Sequence, residues 1–138
     1  MGAEASTTTQ VFYPTLHYRD PAAAIDWLVE AFGCQRLFAA TGPDGAIGHA
    51  ELTFEGAVLM VGPVTDGPTW SGHAGEGRVY LALDDVDGLA ARVRAAGGEL
   101  LRGPADTDYG SRECTVRDPE GNLWSFGTYR PAVPAPTA

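Results

Sequence analysis

Lysine is absent from this chain of 138 residues, and all nine of its basic residues are arginines. A Schiff-base enzyme, a pyridoxal phosphate site and a P-loop each require a lysine, so the sequence excludes these three classes. The basic residues are outnumbered by 18 acidic ones, which leaves a net charge of −9. Because a negatively charged surface repels phosphate backbones, we expect no nucleic-acid partner.

Cysteine is scarce, and long apolar runs are missing. Cys34 and Cys114 do not form a CxxC motif, which excludes a disulfide scaffold and a zinc finger. We therefore predict free thiols in a cytoplasmic protein. The apolar runs are far shorter than the roughly 20 residues that span a bilayer, so we expect no membrane partner.

The ends of the chain differ in composition from its middle. Residues 1–9 are small and polar, and residues 131–138 consist mainly of proline and alanine, so we predict two disordered tails. Residues 10–130 are predicted to form one domain. Within it, the glycine- and proline-rich residues 65–76 are predicted to connect a first module, residues 10–64, to a second module, residues 77–130.

Both modules show the same order of predicted elements. The signals that begin a helix, end a helix and turn a hairpin recur 65 residues apart: Asp20 and Asp85, Gly33 and Gly98, and Glu55-Gly56 and Glu120-Gly121. The predicted helices are 22–32 and 86–96, and the predicted strands are 11–18, 34–40, 49–54, 57–61, 79–83, one opening at 100–101, 112–117 and 122–129. We therefore predict an α+β fold of two tandem β-α-β-β-β modules.

Four segments carry a resemblance to a known family. They are residues 16–20 (LHYRD), 48–52 (GHAEL), 108–113 (DYGSRE) and 118–124 (DPEGNLW). With the paired modules, they resemble the vicinal oxygen chelate superfamily, which includes glyoxalases, extradiol dioxygenases, fosfomycin-modifying enzymes and bleomycin resistance proteins. The resemblance implies that the two modules form a curled mixed sheet around a central cavity.

The resemblance also implies where a metal would bind. Enzymes of this superfamily hold it with His, Glu or Gln at positions that correspond here to Tyr13, Met60, Arg78 and Ser125. These four side chains do not suit a hard divalent cation, and the permanent charge of Arg78 repels one. We therefore expect no metal and no other cofactor, and we place the chain closest to the metal-free, bleomycin-resistance-like branch.

Without a metal, the cavity is predicted to bind a small molecule through aromatic walls and a few polar groups. The candidate ligand-binding residues are Tyr13, Thr15, His17, Met60, Trp70, Arg78, Tyr80, Tyr109 and Ser125. Arg78 either anchors a ligand oxygen or forms an ion pair with Glu51 or Glu113. Trp70, in the connector, either closes over a bound ring or packs on a partner subunit.

Together with the resemblance, these residues predict a protein that sequesters an aromatic or peptidic natural product without bond chemistry, in the manner of an antibiotic-resistance protein. The resemblance also implies a homodimer. The alternative is an enzyme, either a lyase, isomerase or dioxygenase whose metal is held by His17, His49 and Glu51, or a metal-free enzyme in which Glu51 is the general base. Cys114 is expected to be a buried small hydrophobe rather than a nucleophile.

Overall fold

The computed structural model describes residues 10–68 and 72–134. The elements along them are β1 (Thr15–Tyr18), α1 (Pro21–Phe32), β2 (Gln35–Thr41), β3 (Ile47–Phe54), β4 (Ala57–Pro63), β5 (Arg78–Ala82), α2 (Val86–Ala95), β6 (Glu99–Asp106), β7 (Arg112–Arg117) and β8 (Leu123–Gly127). The predicted order, β-α-β-β-β repeated once, is confirmed. In the part of the chain that the structure describes, no helix is long and apolar enough to cross a membrane.

Both helices begin where the repeated signals predict, and α1 also ends there. α2 ends one residue earlier than predicted, and the left-handed glycine that follows it is Gly97 and not Gly98. The side chain of Asp20 accepts a hydrogen bond from the backbone N–H of Ala23 at 3.1 Å, and that of Asp85 accepts one from Gly88 at 2.9 Å. Each aspartate thereby satisfies an N–H group that has no partner within its helix. Gly33 ends α1 in the left-handed region, at φ 77°, which a residue with a Cβ rarely adopts.

The strands form two four-stranded sheets, with the orders β1-β4-β3-β2 and β5-β8-β7-β6. The first strand of each module pairs in parallel with the last, so Thr15 lies beside Met60 and Tyr80 beside Ser125. The α+β class and the two-module architecture are therefore confirmed. Glu55 and Gly56, both at positive φ, form the tight turn between β3 and β4 that the sequence predicts.

The first strand is shorter than predicted, because it begins at Thr15 and not at Val11. The side-chain amide of Gln10 accepts a hydrogen bond from the backbone N–H of Val58 at 2.8 Å and donates one to the carbonyl of Val58 at 2.7 Å. A side chain thus occupies the β4 backbone groups that a longer β1 would use. Residues 10–13 consequently lie outside the strand, and Pro14 pairs with β4 only through its carbonyl, which accepts a hydrogen bond from the backbone N–H of Met60 at 2.8 Å.

The two modules share one hydrophobic core. The ring of Phe32, at the end of α1, lies edge-on to Trp124 and Phe126 of β8, with ring centroids 5.1 and 4.8 Å apart. Phe54 of the first sheet also contacts Phe126, at 5.8 Å. Trp124 is fully buried, as its place on the helix-facing side of the last strand predicts. The apolar faces of both sheets therefore lie toward the core, and their opposite faces are left for other contacts.

A second contact joins the modules through their helices. The guanidinium of Arg92, on α2, donates hydrogen bonds to the carbonyl of Val29 at 3.2 Å and to that of Glu30 at 3.1 Å. These carbonyls lie near the C-terminal end of α1, where the helix dipole favours a positive charge. An arginine of the second module therefore caps the C-terminal end of the helix in the first module.

Candidate functional site

The candidate ligand-binding residues divide between the two sheets. Arg78, Tyr80, Tyr109 and Ser125 line one concavity of about 640 Å³ on the face of the second sheet that points away from the core. The remaining residues that line it are Val79, Arg102, Glu113, Tyr129 and Pro131, so it contains no residue of the first module. We refer to it as the second-module concavity.

The other candidates lie elsewhere. Thr15, His17 and Met60 lie on the first sheet, and Tyr13 lies in the segment that precedes it. Trp70 lies outside the described residues. The candidates therefore do not all line one concavity. A separate cavity of about 330 Å³ is lined by residues of both modules. The sequence repeat places equivalent residues on equivalent faces, but it does not state which faces meet.

Three tyrosines form the wall of the second-module concavity. Tyr80, Tyr109 and Tyr129 are all large exposed aromatic side chains. The hydroxyl of Tyr80 donates a hydrogen bond to the carbonyl of Tyr129 at 2.7 Å, and the ring of Tyr129 lies perpendicular to that of Tyr109, with centroids 6.4 Å apart. The sequence reasoning missed Tyr129, although an aromatic residue two positions before the first proline of the C-terminal segment was a usable signal.

A buried carboxylate lies at the base of the concavity. Glu113 is only 6% exposed, accepts a hydrogen bond from the hydroxyl of Tyr109 at 2.9 Å and lies 3.6 Å from the guanidinium of Arg102. Arg102 also donates to the hydroxyl of Thr115 at 3.3 Å, and that hydroxyl lies 3.3 Å from the hydroxyl of Ser125. These contacts hold the polar groups of the base in one connected network.

The hydroxyl groups of Tyr80 and Tyr109 are neutral hydrogen-bonding groups at neutral pH. The hydrogen bond to Glu113 raises the pKa of Tyr109, because ionising the phenol would set two negative charges side by side. Loss of hydration raises the pKa of Tyr80. The wall therefore presents aromatic surface and neutral hydroxyl groups to whatever enters the concavity.

Arg78 is the free cation of this concavity. Both of its predicted partners are engaged elsewhere: Glu113 with Arg102 and Tyr109, and Glu51 with His49, whose Nε2 lies 2.9 Å from Oε2 of Glu51. Within residues 10–68 and 72–134, Arg78 forms neither an ion pair nor a side-chain hydrogen bond. The predicted structural ion pair is therefore wrong, and the guanidinium is available to a ligand.

The model of the Glyoxalase/Bleomycin resistance protein/Dioxygenase superfamily matches residues 10–126. The chain belongs to this superfamily. The uncharacterized protein Mb0911c of Mycobacterium bovis is 34% identical over 122 residues, which cover 83% of this chain and 80% of that protein.

Two solved structures of high similarity share the fold. TioX from Micromonospora sp. ML1 is 35% identical, has a TM-score of 0.70, and the match covers 85% of this chain and 98% of TioX. TnmS3, an antibiotic binding protein from Streptomyces sp. CB03234, is 27% identical, has a TM-score of 0.66, and the match covers 88% of this chain and 97% of TnmS3.

The four positions at which superfamily enzymes bind a metal do not fit one in this chain. The hydroxyl of Tyr13 donates a hydrogen bond to the carbonyl of Gln10 at 3.1 Å, and the hydroxyl of Ser125 lies within the Thr115 network. Met60 and Arg78 contribute a soft thioether and a permanent cation. A hard divalent metal requires anionic or neutral oxygen and nitrogen donors that converge on one point, and this set does not supply them.

The rival set of metal ligands does not assemble either. Nδ1 of His17 lies 3.1 Å from the carbonyl of Pro63, and a Cβ at Gly72 would lie 2.0 Å from the same nitrogen, so the imidazole packs directly against the Gly72 backbone. His49 and Glu51 pair with each other. Among the residues that the structure describes, no three His, Cys, Asp or Glu side chains form a group that could hold a metal ion.

Neither cysteine is a candidate nucleophile. Cys34 and Cys114 are both buried free thiols. Burial raises the pKa of Cys34 to about 12 and that of Cys114 to about 11, so both are protonated at neutral pH. Cys114 is therefore the small buried hydrophobe that the sequence predicts.

Proposed function

We propose that this protein binds an aromatic small molecule in the second-module concavity and sequesters it without breaking or forming bonds. The observation that carries the proposal is the wall of three tyrosines above a polar base, in a concavity that also contains two of the four superfamily metal positions, Arg78 and Ser125. The similarity to TnmS3, an antibiotic binding protein, supports an antibiotic-like natural product as the ligand. Protection against that compound is the role that sequestration would serve.

The size and the lining of the second-module concavity suit the binding of a small molecule. The concavity has a volume of about 640 Å³, which falls within the range of small-molecule sites. Aromatic faces bind flat ring systems by stacking and dispersion, while Ser125 and the neutral tyrosine hydroxyls offer hydrogen bonds that orient the ligand. Retention by stacking and hydrogen bonding requires no cofactor.

A thermal-shift screen with aromatic and peptide antibiotics tests this function. A true ligand at 100 times its dissociation constant should stabilise the folded protein by about 2.7 kcal/mol, and a metal chelator should leave that shift unchanged. For a ligand so found, Tyr109→Ala should weaken binding by about fivefold, because the aromatic wall loses about 1 kcal/mol of ring contact.

Tyr109→Phe is the matched variant, since it keeps the ring and removes only the bond to Glu113; it should bind nearly as the natural protein does. The proposal fails if no compound shifts the melting temperature, or if Tyr109→Ala binds the ligand unchanged. Mass spectrometry of the released ligand also separates capture from catalysis, because a sequestered compound is recovered intact.

We further propose that the protein is a homodimer and that a second copy covers its exposed apolar residues. Phe12 is 87% exposed and Val11 is 77% exposed in the segment before β1, and Leu37 and Phe38 are exposed on β2. Large apolar side chains left exposed on a folded domain mark candidate interfaces. Sedimentation should give twice the 14.5 kDa of one chain.

Phe12→Ser should shift this equilibrium toward the monomer, because it removes the most exposed aromatic ring of the segment. Val133→Ser removes an equally exposed apolar side chain from the C-terminal end, and it should leave the dimer intact. A natural protein that sediments as a monomer at all concentrations would refute the dimer.

One observation favours metal-free catalysis as a second candidate function. The paired side chains of His49 and Glu51, on the open face of the first sheet, form the kind of imidazole–carboxylate pair that transfers protons in enzymes. This candidate predicts that the ligand is recovered chemically altered, and that Glu51→Gln abolishes the alteration without preventing binding.

A further inference from the structure

We propose that the ligand of the second-module concavity is an aromatic acid, a planar ring system whose ionised carboxylate is held by Arg78. This inference rests on the proposed function, and it specifies the chemical class of the ligand. It follows from the charges that the lining residues leave uncompensated.

Arg78 occupies the position from which it can meet a ligand that stacks on the tyrosine wall. It precedes Tyr80 by two residues on β5, so both side chains lie on the same face of the sheet, about 7 Å apart. Both line the concavity. A ligand of one or two rings that rests on Tyr80 can therefore place a substituent against the guanidinium.

The other charges of the lining compensate each other. The carboxylate of Glu113 is buried and engaged by Arg102 and by the hydroxyl of Tyr109. In the described part of the chain, no acidic side chain pairs with Arg78, so the lining as a whole carries one uncompensated positive charge. This local charge is opposite to the net charge of −9 of the whole chain.

The local charge decides which ligands are favoured. The overall acidity of the chain favours a cationic ligand, but charges beyond about one Debye length, near 8–10 Å, are screened at physiological salt. The charge preference of the concavity is therefore set by Arg78, which attracts anionic ligands and repels cationic ones. A guanidinium presents parallel N–H groups that match the two oxygens of a carboxylate, and its plane can stack on an aromatic ring as well.

The test compares two probes of nearly identical shape, 2-naphthoate and 2-naphthamide, which differ in charge. Dissociation constants are measured by ligand-detected NMR titration for the natural protein, for Arg78→Gln and for Arg94→Gln. Arg94 is a matched control, because it is an exposed arginine on α2, outside the lining, with no ion pair among the described residues. Both variants change the net charge by the same amount.

The natural protein and Arg94→Gln should bind the acid about tenfold more tightly than the amide, and high salt should reduce that preference. Arg78→Gln should bind the acid and the amide equally, with its affinity for the amide unchanged. Equal binding of both probes by the natural protein, or a preference that survives in Arg78→Gln, would refute the inference and leave the proposed function standing. If neither probe binds the natural protein at millimolar concentration, this inference fails, and the thermal-shift screen alone decides the proposed function.

Discussion

Replacing Asp118 by alanine is expected to lower the free energy of unfolding by about 3–5 kcal/mol. The carboxylate is only 3% exposed and accepts hydrogen bonds from the hydroxyl of Tyr18 at 2.6 Å, from Nε1 of Trp124 at 3.0 Å and from Nδ2 of Asn122 at 3.1 Å. The backbone N–H groups of Glu120 and Asn122 donate to it at 2.9 and 3.0 Å. Alanine would leave several buried donors without an acceptor, which is the costly way to lose a hydrogen bond.

This carboxylate also joins the two modules, since Tyr18 belongs to the first module and the other donors belong to the second. Burial, and next the nearby charge of Asp118, raise the pKa of Tyr18, so the phenol remains a proton donor throughout the physiological range. Urea denaturation measures the loss of stability. Asp108→Ala, at an exposed turn position, should change stability by less than about 0.5 kcal/mol. A loss below about 1 kcal/mol in Asp118→Ala would contradict the assigned role.

Replacing Phe32 by alanine is expected to cost about 3–5 kcal/mol of stability, because it opens a cavity where the two modules meet. The ring is 3% exposed and lies within 5.1 Å of the rings of Trp27, Trp124 and Phe126. Repacking within one module cannot compensate for the loss of this ring, because the side chains that contact it come from both modules. The surrounding aromatic rings are rigid, so the cavity can collapse only in part.

Denaturation of Phe32→Ala by urea and by heat measures this loss, with Leu101→Ala as the control. Leu101 is 42% exposed on β6, and its truncation should cost less than about 1 kcal/mol. A single cooperative transition at lower denaturant concentration is the expected form of the result. Two separate transitions would show that the modules unfold independently, and they would contradict the shared core.

Most of the fold was predictable because its signals are local. A helix cap such as Asp20, a left-handed glycine such as Gly33 and the turn at Glu55-Gly56 each act on backbone groups within a few residues. The start of β1 was predicted wrongly, because the contact that takes the place of strand pairing before Pro14 joins Gln10 to Val58, 48 residues away. No pattern of neighbouring residues contains that information.

The candidate site was predictable in part for the same reason. Alternation along β5 and β8 places Arg78, Tyr80 and Ser125 on one face, and the structure brings them together with Tyr109. The sequence reasoning chose the wrong arginine for Glu113, because the position of Arg102 depends on the pairing of β6 with β7. That pairing shifts register on both sides of Arg102, and such irregularities are invisible in a pattern of alternating residues.

The hydrogen bonds from Arg92 to Val29 and Glu30 show that the two repeated units depend on each other. Each half of the chain has the elements of a complete β-α-β-β-β unit. The positive charge at the C-terminal end of α1, in the first half, nevertheless comes from Arg92 in the second half. A fragment cut at the connector would expose Phe32 and Phe54 to water and lose that cation at the same time. We therefore expect neither duplicated segment to fold alone, and the pair to be the smallest stable portion of this protein.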